Sequence, residues 1–341
     1  MSALQHALKQ IALARHLTGA EMKEALSVIM SGAATPAQVG AFLMGLRVKG
    51  ESVEEIVAAA EVLRDLSVPV TVSDRSHLVD TCGTGGDGAS TFNISTASAI
   101  VCACAGAKVA KHGNRSVSSR SGSADVLEAA GVALSLAPEQ VGRCIDQVGV
   151  GFLFAPRHHE AMRHASGPRK ELGVRTLFNL LGPLTNPARA PRQLIGVFSD
   201  ALLEPFAQAL KALGSEHVLV VHSDDGLDEI SPGAATQVCE LRAGSITRYR
   251  LRPTDFGLGL GNLAELKVTD AKESLAILMA VFAGAEGPAA TAVAMNAGAA
   301  LYVAGLAPGI AGGIAQAQTV LRTGLATAKL RELVTFTQAS L

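Results

Sequence analysis

The stretch Asp80-Thr-Cys-Gly-Thr-Gly-Gly-Asp-Gly88, with Thr91-Phe-Asn-Ile-Ser-Thr96 behind it, decides how the rest of the chain is read. Gly83, Gly85, Gly86 and Gly88 supply backbone that tolerates positive φ and lets a ligand reach the main chain, while Thr84, Thr91, Asn93, Ser95 and Thr96 ring that surface with small polar groups. The apolar run from Ala97 to Ala107 reads as a helix whose free N–H groups face the same ligand. Such a loop suits phosphate. On either side, Leu78-Val79 reads as the strand that leads in and Ala107 to Ala110 as a second strand. The second strand delivers Lys111-His-Gly-Asn-Arg115 and Ser116-Val-Ser-Ser-Arg-Ser-Gly-Ser123, a further patch of cations and hydroxyls. Both loops follow strands, the position at which open α/β sheets bind ligands.

Composition narrows the ligand. With 29 basic and 30 acidic residues the formal charge is −1, so the chain has no general attraction for a polyanion and any phosphate binding must be local. No Trp and only two Tyr leave no aromatic platform for stacking nucleic-acid bases. A length of 341 residues permits a large domain with a smaller one, or two comparable domains. The low charged fraction, 17%, implies a rather apolar surface with room for an oligomer interface. Cys82, Cys102, Cys104, Cys144 and Cys239 show neither metal-finger spacing nor a disulfide framework, which points to a reducing cytoplasm. Cys102 and Cys104 read as small core residues; Cys82, inside the loop, is a candidate reactive thiol. Met1 to Leu17 lacks the apolar core of a secretory signal, and the apolar runs elsewhere are short and broken by glycine, so no membrane span is expected.

The first 66 residues read as four short helices. Thr18-Gly-Ala-Glu21, Thr35-Pro-Ala-Gln38 and Ser52-Val-Glu-Glu55 each place a capping hydroxyl three residues before an acid or amide. At Val68 to Asp74 the texture changes, and Pro69 suits a crossing between domains. From His77 onward short apolar strands alternate with helical stretches, the pattern of an α/β domain. Further helices are predicted over 123–130, 138–148, 202–213, 271–283, 288–303 and 309–325, strands over 192–198 and 217–222, and a strand or buried turn over 151–154.

The strand His217-Val-Leu-Val-Val-His222 delivers Asp224-Asp-Gly-Leu-Asp-Glu229, whose Asp228-Glu229 pair is the best candidate to hold magnesium through oxygen ligands, or else a charged, solvated surface. Ser95 is either a further oxygen ligand or a cap of the helix behind it. Phe178-Asn-Leu-Leu-Gly-Pro-Leu-Thr-Asn-Pro187 carries no nucleophile or acid and reads as a shaped structural crossing.

Taken together these segments resemble the anthranilate phosphoribosyltransferase family, in order and spacing over nearly the whole chain. The resemblance implies an α/β fold of the nucleoside phosphorylase/phosphoribosyltransferase-like type: a small, mainly helical domain and a large α/β domain with a central, mostly parallel sheet. The helical domain would span 1–70, completed by 169–185, and the large domain 75–165 and 190–341. The implied reaction moves the phosphoribosyl group of 5-phospho-α-D-ribose 1-diphosphate onto the amine of anthranilate, in tryptophan biosynthesis. By the same resemblance the activated ribose meets Gly83, Gly85, Gly86, Asp87, Thr91, Asn93, Ile94, Ser95 and Thr96, then Lys111, His112, Gly113, Asn114, Arg115, Ser116, Val117, Ser118, Ser119 and Ser123. Anthranilate would contact Gly83, Asn114, His159 and Arg169, and Mg2+ would sit on Ser95, Asp228 and Glu229. No obligatory base is implied, because an arylamine is neutral near pH 7; His112 and Asn114 are positioning groups. A cytoplasmic homodimer is expected, with no nucleic-acid or membrane partner.

Two places depart from the family pattern. Pro156-Arg-His-His-Glu-Ala-Met162 carries Glu160 where the family has proline after the histidine, and Gly167-Pro168 precede Arg169 where proline and a small aliphatic residue are usual, in a segment read as a turn. Pyrimidine nucleoside phosphorylases share the fold, but their phosphate loop places Lys-His-Ser before the glycines, whereas Asp80-Thr-Cys82 stands there and the lysine follows a helix later. A noncatalytic nucleic-acid-binding relative would need a basic groove, against the balanced charge found here.

Overall fold

The computed structural model describes residues 2–116 and 120–340. Val117, Ser118 and Ser119, assigned above to the activated ribose, lie outside the described residues.

Four helices open the chain: α1 (Ala3–Ala12), α2 (Gly19–Met30), α3 (Pro36–Lys49) and α4 (Val53–Leu66). Each begins with a reciprocal capping box, Ser2 with Gln5, Thr18 with Glu21, Thr35 with Gln38 and Ser52 with Glu55, which satisfies donors that a helix start leaves open. The chain then alternates: β1 (Leu78–Gly83), α5 (Ile94–Cys104), β2 (Lys108–Gly113), α6 (Ser123–Ala129), α7 (Pro138–Val148) and β3 (Val150–Phe154). Short helices α8 (Ala155–His158), α9 (Arg163–Leu172) and α10 (Leu177–Leu181) follow. Then come β4 (Arg192–Gly196), α11 (Leu203–Ala212), β5 (His217–Ser223), β6 (Thr236–Arg242), β7 (Ser245–Leu251), α12 (Ala271–Phe282), α13 (Pro288–Val303), α14 (Ile310–Arg322) and α15 (Leu325–Ala339).

The seven strands form one sheet in the order β3-β2-β1-β4-β5-β6-β7, parallel through β5 and antiparallel beyond it. Helices cover both faces, so neighbouring residues of a central strand are apolar together: Leu194 and Leu219 enter the core with α5 and α13, while Ile195 and Val220 enter the core with α11 and the N-terminal helices. Helices α9 and α10 pack on α2, α3 and α4. No helix among the described residues is long and apolar enough to cross a membrane.

Several sequence-based boundaries move. Helix α5 starts at Ile94 rather than Ala97, because Asn93 takes the N-cap position and Ile94 is buried. Lys111, His112 and Gly113 lie on β2 and not in a loop after it. The hairpin β6–β7 has no counterpart among the predicted strands; its turn is Ala243-Gly244, both at positive φ (47° and 77°), and alanine there lacks the usual Asn-Gly signature. Gly324, at φ 70°, ends the last predicted helix early and opens α15, which the sequence pattern does not announce.

Candidate active site

Strand order reverses between β1 and β4, and the crevice outside their carboxyl ends is where such sheets take ligands. Gly83 and Gly196 are register partners at those ends. The loop after β5 lies across them: a Cβ on Gly196 would fall on the Asp228 carbonyl, and one on Gly83 would come within 2.6 Å of the Asp228 carboxylate. Two facing glycines therefore make the slot that admits this acid. Beyond Gly83 the chain turns through Gly85 and Gly86 at φ 64° and 78°, and the Gly85 N–H donates to Asp228 Oδ2 at 2.8 Å. In the first turn of α5, the Ser95 N–H donates to Glu229 Oε1 at 3.1 Å.

Asp228 and Glu229 do not lie on the solvated loop their sequence suggests; they are half-buried and held from several sides. The Ser223 hydroxyl donates to the Glu229 carbonyl at 2.7 Å, and Asn296, fully buried on α13, both accepts from the Ile230 N–H (3.0 Å) and donates to the Ile230 carbonyl (2.8 Å). Burial, then Asp87 and Glu229 nearby, drive the Asp228 carboxyl well above its ordinary range. Burial also raises Glu229 to about 7, with Lys111 opposing and Asp87 adding to the rise. Three acids thus crowd one pocket. Lys111 is buried beside them, its ammonium donating to the Thr81 carbonyl at 2.6 Å and the Ser95 hydroxyl at 3.1 Å; burial lowers its pKa against the pull of Asp80. Although no cluster of three His, Cys, Asp or Glu ligands occurs among the described residues, Asp228, Glu229 and the Ser95 hydroxyl would offer oxygen donors only, and a hard divalent cation would offset the burial and the mutual repulsion that raise both carboxyls.

The remaining diphosphate-loop residues are less uniform than their sequence suggests. Asn93 turns its side chain away from α5: its Oδ1 accepts from Ser121 and Ser274 hydroxyls (2.8 and 2.7 Å), and its Nδ2 donates to the Ser121 carbonyl. The Thr96 hydroxyl is buried with no hydrogen-bond partner among the described residues; Thr91 bridges to Lys267; Ile94 is core. The Arg115 guanidinium is engaged by Asp125 and Glu128 and its backbone N–H donates to Asn114 Oδ1 at 2.7 Å; in the same loop the Ser116 N–H donates to Asp125 and the Ser123 hydroxyl lies 3.4 Å from the Asn114 carbonyl. Cys82 is not a reactive thiol: burial, then the neighbouring Asp80, keep it protonated.

On the helical side, Arg169 sits within α9 rather than in a turn, with Pro168 inside the same helix. Its guanidinium is half-buried over the Phe178 ring at 5.1 Å, burial lowers its pKa, and no carboxylate among the described residues pairs with it. Buried His112 and His159 place their rings 5.2 Å apart. His112 Nδ1 meets the Gly182 carbonyl at 3.1 Å, while its Nε2 has no hydrogen-bond partner among the described residues; the His159 ring lies by the Thr185 backbone. Burial, then the adjacent His159, hold His112 down to about 3; burial, then His158, hold His159 down to about 4. Glu160, in place of the family proline, opens a short 3-10 turn and pairs with Arg163 at the surface. Asp80, fully buried, links these parts: its carboxylate accepts from the His112 N–H and from Asn186 Nδ2, giving the Phe178–Pro187 crossing its structural role.

Arg175 borders the glycine loop, a placement that the sequence does not reveal. From the α9–α10 connection its Nη1 donates to the Gly86 carbonyl at 2.9 Å and its guanidinium stacks on Phe198, 4.2 Å from the ring centre. A lone arginine between two helices carries no signal of this; nor do Asn296 or Ser274, which read as ordinary helix interior.

A helical bundle joined to a sheet with an anion cradle at its switch point defines a glycosyl transferase: residues 75–327 match the family described as glycosyl transferase family, a/b domain, and residues 5–67 its helical bundle domain. The anthranilate phosphoribosyltransferase of Thioalkalivibrio sulfidiphilus is 59% identical over 334 residues, 98% of each chain. That of Alkalilimnicola ehrlichii is 58% identical over 98% of this chain and 99% of its own. The chain belongs to the anthranilate phosphoribosyltransferases. Its structure is similar to the enzyme of Thermus thermophilus (TM-score 0.92, 44% identity, 97% of this chain and 99% of that one) and to that of Saccharomyces cerevisiae in complex with PRPP and Mg (TM-score 0.90, 29% identity, 98% of each chain).

Proposed function

We infer that this chain transfers the 5-phosphoribosyl group of 5-phospho-α-D-ribose 1-diphosphate to anthranilate, releasing diphosphate, in tryptophan biosynthesis. The observation that carries this reading is the pocket at the β1–β4 switch, where glycine-loop and α5 N–H donors, buried Lys111 and the Asp228-Glu229 pair converge in a member of this family. The anthranilate nitrogen forms a bond to C1 of the ribose as the C1–oxygen bond to diphosphate breaks, and the nitrogen then loses a proton to solvent or to the leaving group. Charge builds on the departing diphosphate, so fixed N–H donors and Lys111 lower the barrier by holding it. Asp228, Glu229 and Ser95 would hold magnesium, which would supply further charge neutralisation to the diphosphate.

Anthranilate lies against Arg169, His159 and Asn114, and two features support this. A guanidinium with no carboxylate partner is a fork ready for the planar carboxylate ortho to the amine. His112 and His159, held neutral by burial, set uncharged rings, with the unpartnered His112 Nε2, beside an uncharged amine without repelling it. His112 positions the nucleophile and takes no obligatory proton.

The packing of α9 and α10 on the N-terminal helices supports a helical domain of residues 1–70 completed by 169–185, with 75–165 and 190–341 forming the large domain. Five free cysteines fit a cytoplasmic enzyme. A homodimer should elute with about twice the 34.9 kDa chain mass by light scattering. The function is tested by anthranilate consumption with the activated ribose and magnesium; folded protein that gives no turnover overturns it.

A further inference from the structure

We propose that Ser274, on α12, is a positioning residue of the diphosphate site, and that it acts by keeping Asn93 from capping its own helix. This rests on the reading of the site given above. Asn93 is the N-cap residue of α5, where asparagine normally turns its side chain onto the second or third helical N–H. Here it makes no such bond. The fully buried Ser274 hydroxyl accepts from the Asn93 main-chain N–H at 3.0 Å and donates to Asn93 Oδ1 at 2.7 Å, gripping the residue at two points. Ser121, from the second phosphate loop, completes the grip with its hydroxyl on Oδ1 (2.8 Å) and its carbonyl on Nδ2 (3.2 Å). The Asn93 side chain is thereby committed away from α5, and the first-turn N–H groups are left to acceptors other than the cap residue, as Glu229 on the Ser95 N–H shows.

The surroundings support the same role. The segment leading into α12 is laced to the loop by its backbone: the Phe92 N–H donates to the Leu266 carbonyl at 2.8 Å and the Val268 N–H to the Ser90 carbonyl at 2.9 Å. Asp270 caps α12 through the N–H groups of Lys272 and Glu273, which fixes the first turn that carries Ser274. Ser274 is thus set on a rigid helix and meets no proposed ligand itself. Its hydroxyl controls one rotamer in a residue at the junction of both phosphate loops. Without it, Asn93 regains the local bond to α5 that its position favours and competes with diphosphate for the same donors.

The test compares wild type with Ser274→Ala and Ser274→Cys, the second filling the hydroxyl's space while weakening both hydrogen bonds. Steady-state kinetics for both substrates are measured beside calorimetric titration with magnesium diphosphate and thermal denaturation. Both variants are expected to raise KM for the activated ribose and Kd for magnesium diphosphate by roughly tenfold, the scale of losing one or two buried hydrogen bonds. KM for anthranilate should stay within about twofold, and the melting temperature should fall by only a few degrees, the cost of one or two buried hydrogen bonds in a chain of this size. Unchanged diphosphate affinity in a folded variant overturns the proposal, as does equal weakening of both substrates with a fallen melting temperature, which marks a packing role alone. Wild-type protein that neither turns over nor binds magnesium diphosphate overturns the functional reading, and this inference with it.

Discussion

The Asp228 carboxylate accepts the Gly85 main-chain N–H at 2.8 Å, so a donor of the phosphate loop is held by an acid of the same chain. Glu229 does the same to Ser95. Under the proposed function, a divalent cation held by these acids would free both N–H donors for diphosphate. The Asp228→Asn, Glu229→Gln double variant should therefore raise the magnesium concentration for half-maximal activity by roughly tenfold or more. The fold should hold or gain stability, since burial and mutual repulsion already disfavour both charges. Magnesium titration of activity, with a melting curve, decides it; an unchanged metal dependence leaves these acids as structure only.

Arg169→Ala should act on one substrate. Removing a half-buried guanidinium that no acid neutralises takes away the fork proposed for the anthranilate carboxylate, a loss of about 1–3 kcal/mol in transition-state binding. KM for anthranilate should rise while that for the activated ribose stays near wild type. Equal weakening of both points to distortion of α9.

Gly196→Ala tests the slot over the sheet. Its Cβ would fall on the Asp228 carbonyl, backbone that the Asn296 and Ser223 bonds prevent from yielding. A loss of about 3 kcal/mol or more is expected in chemical denaturation, with activity lost alongside it. A variant as stable and active as wild type would mean the β5 loop is free to lift.

Protonation separates His159 from the acids. The folded protein holds it down to about 4 against an ordinary value of 6.5, so the unfolded chain binds the extra proton between those limits. Its contribution to stability is whole above pH 6.5 and falls as pH drops toward 4. Glu229, raised to about 7, has the opposite sign, because there the folded state takes the proton first and its penalty is relieved as pH falls from 7. The histidine's share is therefore read as a difference: between about pH 7.5 and pH 5.5, wild type should lose about 1 kcal/mol more unfolding free energy than His159→Gln. Parallel pH dependences for the two proteins contradict the burial of a neutral ring.

Local signals carried most of the fold. The Thr18, Thr35 and Ser52 boxes sit where the sequence places them, because a cap and its N3 partner are three residues apart in any context. Glycine runs after short apolar strands likewise placed the crevice at the ends of β1 and β2. What failed to show was long-range. Asn93 looks like a ligand group in sequence, but its side chain is held by Ser121, 28 residues on, and by Ser274, 181 residues on. Arg115 looks like a phosphate cation until α6 brings Asp125 and Glu128 to it. Asp228 and Glu229 look solvated because nothing near them in sequence announces Asn296. Buried polar bonds between distant segments have no periodicity to read.

The β5 loop, α12 and α13 all reach back to the glycine loop, and this has a consequence during synthesis. Gly85 and Ser95 emerge from the ribosome well over a hundred residues before Asp228 and Glu229, and Asn93 earlier still relative to Ser274. A nascent chain ending before these partners would hold strands β1 to β5 with an open-ended phosphate loop and an uncovered face awaiting α13. Because closing such long separations is slow, the last third of the chain governs when the enzyme first becomes competent, and truncations there should leave aggregation-prone, inactive protein rather than a weakened catalyst.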